Sequence, residues 1–150
     1  MILIFSFSAR PAEVSSEDSR QAGLLIGEIF VPGFEDWTEE EQAAFAEKVD
    51  HPVRKTAHAA EYAVLGLLVA GTYIEGGKKG RKHAGEKHGR EIFVPWIITT
   101  AYAATDELHQ LIVPGRSGQL SDVVLDSAGA LAGLLVLGAV RFFVRRRHEE

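Results

Sequence analysis

The 150-residue chain contains no cysteine. Disulfides and thiolate-held metals are therefore excluded, although that absence names no compartment. No cleavable signal peptide is read in residues 1–9, which are apolar but lack a basic leading region and are too short to span a bilayer. They read instead as the distal half of a helix, so a truncated N-terminal span is expected. Strongly amphipathic helices are scarce. No internal repeat is visible, which counts against a secondary transporter, because such folds are ordinarily built from repeats. No compact set of metal-ligating side chains occurs at fixed spacing, so no metal site is expected.

Apolar residues are present in blocks. Mean hydropathy is +0.01 over the chain, an average that hides strong segregation, and membrane crossing is a local property. Residues 59–74 carry only Glu61 as a charge, residues 92–113 only Asp106 and Glu107, and residues 123–144 only Asp126 and Arg141. The last two segments are each 22 residues long, and a helix needs about 20 to cross a hydrocarbon core. The first reaches that length if it begins near Lys55. The expected fold is all-α: a small polytopic membrane bundle of three full spans plus the truncated one. The competing fold is a soluble bundle with unusually apolar core helices. The spacings Gly129-x-x-x-Gly133 and Ala128-x-x-x-Ala132 favour the membrane reading, since small residues let membrane helices approach closely.

The chain reads as one domain over 1–150, with two contrasting polar regions. Residues 10–53 hold eleven acids against three bases. The expectation there is an acidic, solvated region with short helices. Residues 21–30 are moderately amphipathic and suited to a membrane surface. Thr38-x-x-Glu41 has capping-box form and predicts a short helix ending near Lys48, ahead of His51-Pro52. Residues 75–91 hold six bases against three acids, with His83 and His88. Metal or nucleic-acid binding is conceivable for such a run, but its glycines and irregular spacing favour a linker, and no nucleic-acid partner is expected. Pro95 and Trp96 suit an interfacial opening of the next helix. Pro114-Gly115 closes it, and Ser121 or Asp122 can cap the last. Basic residues beside spans favour the cytoplasm. That places the 75–91 loop and Arg145-Arg146-Arg147 inside, and the 10–53 region and the 114–121 turn outside, in a multi-pass cell-membrane protein.

Ionisable residues within such segments are costly and mark a functional site by default. Lys55, His58 and Glu61 fall at i, i+3 and i+6, with Tyr62 next. Asp106 and Gln110 are i, i+4, with Glu107 beside them. Asp122 and Asp126 are i, i+4 at the start of the last helix. The topology brings all of them, with Arg116 in the turn, toward one outer layer. As structural glue, Lys55 and Arg116 neutralise carboxylates while Gln110 and His58 complete hydrogen bonds. As a site, the same groups form a pocket for an anionic headgroup or a path for protons.

Lys55-x-x-His58-x-x-Glu61-Tyr62, Asp106-Glu107-x-x-Gln110, Pro114-Gly115-Arg116, Asp122, Gly129 and Gly133 together resemble the VanZ-like membrane proteins. Phe5-Ser6-Phe7-Ser8-Ala9-Arg10-Pro11 resembles the end of that family's first helix. Asp126 departs from the pattern, which implies asparagine, and so does Ala9-Arg10, where a more neutral pair is usual. The resemblance implies an integral membrane protein in a cell-envelope context, through a namesake that is an accessory factor in low-level teicoplanin resistance. It implies no particular reaction or cofactor.

Two functions follow. In the first, the chain is an accessory factor that binds a membrane lipid or lipid-linked envelope precursor. Lys55, His58, Glu61, Tyr62, Asp106, Glu107, Gln110, Arg116, Asp122 and Asp126 form the binding layer, and the two long cations meet phosphate. In the second it is a membrane-embedded hydrolase or transferase. His58 acts as base or nucleophile, and Glu61, Asp106 or Glu107 orients it or supplies the acid.

Overall fold

The described chain is helical nearly throughout. The computed structural model describes residues 10–80, 88–115 and 118–149. The expected half-helix at 1–9, residues 81–87 of the basic loop, and Arg116 lie outside the described residues. Helix α1 is Ala12–Phe30. A short 3-10 turn at Phe34–Asp36 leads to α2, Glu39–Gly80. Then come α3, His88–Gln110, and α4, Leu120–Glu149, with no strand among the described residues.

The capping box forms as its sequence predicts. Glu41 Oε2 accepts from the Thr38 backbone N–H and hydroxyl, both at 2.9 Å, and the Glu41 N–H donates back to Thr38 Oγ1 at 3.3 Å. What does not follow the sequence reading is the far end. Instead of stopping near Lys48, α2 runs for 42 residues with Pro52 inside it. An interior proline costs about 3 kcal/mol through its missing N–H and its ring clash. Tertiary packing offsets that cost. Helix α1 lies along the first half of α2, setting Gly23 against Ala46 and Val49, and the buried Ser19 hydroxyl donates to Asp50. The acidic region is thus a packed helix pair, with Phe34 buried against Trp37 and Phe45 at ring separations of 5.2 and 5.4 Å. Pro95 also lies within a helix and does not open one. Four residues after each proline a threonine hydroxyl donates to the proline carbonyl, Thr56 to Pro52 at 2.7 Å and Thr99 to Pro95 at 2.8 Å.

Thr38→Ala is expected to lower unfolding free energy by about 1 kcal/mol, the usual worth of a lost cap. Denaturation midpoints in detergent measure it; an unchanged midpoint means that α2 is held by α1 alone.

Helices α2 and α4 run parallel in close contact, and α3 packs antiparallel to both. Small residues set the α2–α4 distance. A Cβ on Gly133 would stand 2.7 Å from the Ala63 carbonyl oxygen, and one on Gly129 would collide with the Ala59 backbone. Of the two small-residue pairs read from the sequence, only the glycines serve this contact; Ala128 and Ala132 are exposed. The core between the three helices is Tyr62, Leu65, Ala103 and Ala130, with Trp96 and Tyr102 packed around it. Trp96 Nε1 donates to the Ser127 carbonyl at 3.1 Å, and the Thr100 and Ser127 hydroxyls are 2.8 Å apart, tying α3 to α4.

Two helices are long and apolar enough to cross a membrane, through Glu39–Gly76 and Leu120–Arg147, and only 22% of each apolar window is buried. Leu68, Val136, Val140 and Phe143 project outward from them. Helix α3 has 23 residues, enough in length, but Asp106, Glu107 and its threonines leave it short of that apolarity. Of the three full spans expected, two helices among the described residues meet both length and apolarity, with a more polar helix between them.

Candidate functional site

At one end of the three-helix core the chain encloses a polar cavity of about 150 Å³. Its first wall is α2, where His51, Arg54, Lys55 and His58 fall at i, i+3, i+4 and i+7 and so share one helical face. Glu107 and Gln110 come from the end of α3, and Gln119, Asp122 and Asp126 from the start of α4. Ala12 and Gly115 close the side. Gly115 has φ +75°, in the left-handed region that glycine adopts at little cost. A Cβ there would press on Ala12 at 3.1 Å.

The long cations of this wall are held in place. Lys55 Nζ donates to Asp122 Oδ1 at 2.6 Å, with both side chains 29% exposed. Arg54 pairs with Asp50, which also accepts the Ser19 hydroxyl. The chain from α1 through Asp50 to Arg54 therefore fixes the guanidinium at the cavity. Asp122 does not serve as the cap expected for the last helix. That helix opens at Leu120, and Glu107 of α3 accepts the Gln119 backbone N–H just before it. A carboxylate twelve residues earlier thus satisfies one of the donors that a helix start leaves orphaned.

Deeper in, the polar groups lack partners. Asp106 and Asp126 are 3% and 4% exposed and Tyr62 is fully buried. Both Asp106 carboxylate oxygens, Asp126 Oδ1 and the Tyr62 hydroxyl make no hydrogen bond among the described residues. The Tyr62 hydroxyl lies close to Asp106, short of a formed bond. Asp126 feels the charges of Glu107, Asp122, Asp106 and Glu61 together. An unpartnered buried polar group costs about 1–3 kcal/mol, more when charged. Such a layer is stabilised by whatever supplies protons, water or ligand donors to it.

Of the residues singled out from sequence, the cavity gathers Lys55, His58, Glu107, Gln110, Asp122 and Asp126. Tyr62 and Asp106 sit behind it, buried toward the core. Glu61, half-buried, is within electrostatic reach of Asp106 but does not line the cavity. Arg116 lies outside the described residues. His51 and Arg54 are lining residues that the sequence reading passed over. Their signal was helical periodicity with Lys55 and His58, hidden by ending the helix before Pro52. Among the described residues, no three histidine or carboxylate side chains converge on a point that could hold a metal ion.

Comparison with known proteins matches residues 1–141 to the family model described as VanZ/LLP1. No curated protein and no solved structure matches the chain.

Proposed function

The chain belongs to the VanZ/LLP1 family, and we propose that it is an integral membrane protein of the cell envelope that holds an anionic lipid headgroup or lipid-linked precursor in the polar cavity. The observation that carries this reading is the basic face of α2. Four cationic or cationisable groups line one wall, with Lys55 and Arg54 oriented by Asp122 and Asp50. Arginine meets a phosphate through two parallel donors, and lysine as a point charge. Arg90, Arg145, Arg146 and Arg147 lie at the opposite end of the helices. The positive-inside tendency then puts the cavity on the extracytoplasmic side of a multi-pass protein. In this reading the protein is an accessory factor, and tolerance to teicoplanin is the phenotype to assay.

Mass-spectrometric identification of lipids that co-purify with the full chain tests the proposal. Wild type is expected to retain a phosphate-bearing lipid, and Arg54→Gln about tenfold less, as loss of a charge-assisted hydrogen bond implies. Arg116→Lys keeps the charge but not the planar fork, and retention should fall while membrane abundance holds. Equal retention in all three proteins overturns the reading. A second reading, a hydrolase or transferase, rests on His58 sharing the cavity with Glu107 and Asp126. It requires His58→Asn to abolish turnover of a bound lipid without releasing it.

A further inference from the structure

A larger cavity lies at the other end of the described helices. It measures about 570 Å³ and opens between the end of α2, the start of α3 and the second half of α4. Ile74, Ile92, Leu134 and Leu137 line its walls, and Gly138 leaves it open: a Cβ there would already be 3.3 Å from Ile92 Cδ1. Arg141, Arg145 and Arg146 line the same cavity, with Glu91 as the one acid among the described lining residues. Arg141 pairs with that Glu91 at 3.0 Å, and basic side chains outnumber acidic ones among the described lining residues.

We propose that this groove binds one anionic phospholipid, its acyl chain between α3 and α4 and its phosphate on Arg145 and Arg146. The inference rests on the membrane placement proposed above but on none of the residues of the polar cavity. Three features favour this occupant. Small-molecule sites of this size are mostly apolar, with a few placed polar groups fixing orientation. The described lining is net basic, which favours a headgroup of net negative charge over a zwitterionic one. The arginines stand at the end of an apolar span, where such clusters meet the anionic leaflet and each contributes about 1 kcal/mol of attraction. The polar cavity lacks such apolar walls, so the two ends hold chemically different parts of a lipid: a headgroup at one, a chain with its phosphate at the other.

The test is native mass spectrometry of the full chain in detergent, titrated with phosphatidylglycerol or phosphatidylcholine of identical chains. Wild type is expected to prefer phosphatidylglycerol by about tenfold or more, as two arginines imply. Arg145→Gln with Arg146→Gln should remove that preference and leave phosphatidylcholine unchanged. Gly138→Leu fills the groove and should reduce adducts of both lipids. Ile92→Trp fills it from the opposite wall and serves should Gly138→Leu fail to fold. Phosphatidylglycerol binding that survives the arginine changes overturns the proposal. So does binding that survives the filling of the groove, since the lipid then sits on surface arginines alone. A dimer that the same substitutions dissolve would assign the groove to a second copy of the chain and overturn it equally.

Discussion

Gly129→Val is expected to abolish the folded bundle. The Cβ position of Gly129 is already occupied by the Ala59 carbonyl group, and that of Gly133 by Ala63, whose oxygen and Cα lie at 2.7 and 3.1 Å. These obstacles are backbone atoms of a long helix, so no rotamer change relieves them. The helices must separate, and α4 then carries Asp122 away from Lys55 and Asp126 away from the cavity. Overpacking costs about 1–3 kcal/mol where side chains can yield, and valine against backbone should exceed that range. Gly129→Ala would gain about 1 kcal/mol of helix propensity and still lose on balance. The measurements are folded yield by size-exclusion chromatography and the thermal midpoint in detergent. A Gly129→Val protein that elutes and melts like wild type would show that α2 and α4 do not pack as described.

The second large effect is Asp126→Asn, for which stability is expected to rise without loss of binding. Asp126 is 4% exposed, with one carboxylate oxygen unpartnered and Glu61, Asp106, Glu107 and Asp122 all acting on it. Asparagine has nearly the same shape, removes the charge, and offers two donors to a layer in which both Asp106 oxygens lack one. Unfolding free energy should rise by about 1–3 kcal/mol, the cost of a buried polar group left unpaired. Headgroup retention should hold or rise, because Asp126 lines the cavity and its charge opposes that of an anionic headgroup. Asp126 is also where the family pattern implies asparagine, so the substituted chain is expected to fold. A lower melting temperature would instead identify Asp126 as glue between α3 and α4, and the whole polar layer with it.

Both predictions turn on contacts between different helices, and this separates what the sequence determines from what it does not. Apolar blocks, their lengths and the charges embedded in them are local properties. They suffice to predict a helical chain with membrane-length segments and to single out Lys55, His58, Glu107, Gln110, Asp122 and Asp126, all of which the fold gathers at one cavity. The capping box was equally legible, because both of its partners lie within one turn.

Only the tertiary structure decided the rest. Pro52 reads as a break because its local cost is real; α1 offsets that cost by packing along the residues just before it. His51 and Arg54 become cavity residues as a result. The acidic region reads as solvated from its charge, yet Ser19, Gly23 and Gly27 give it a buried face. Glu107 reads as a candidate catalytic acid, and in the fold its carboxylate holds the N–H that precedes α4. Gly129 and Ala128 are equally small, and only the rotation of α4 about its axis puts one against α2 and leaves the other exposed. That rotation is set by summed packing against two other helices, a quantity no local window of sequence contains.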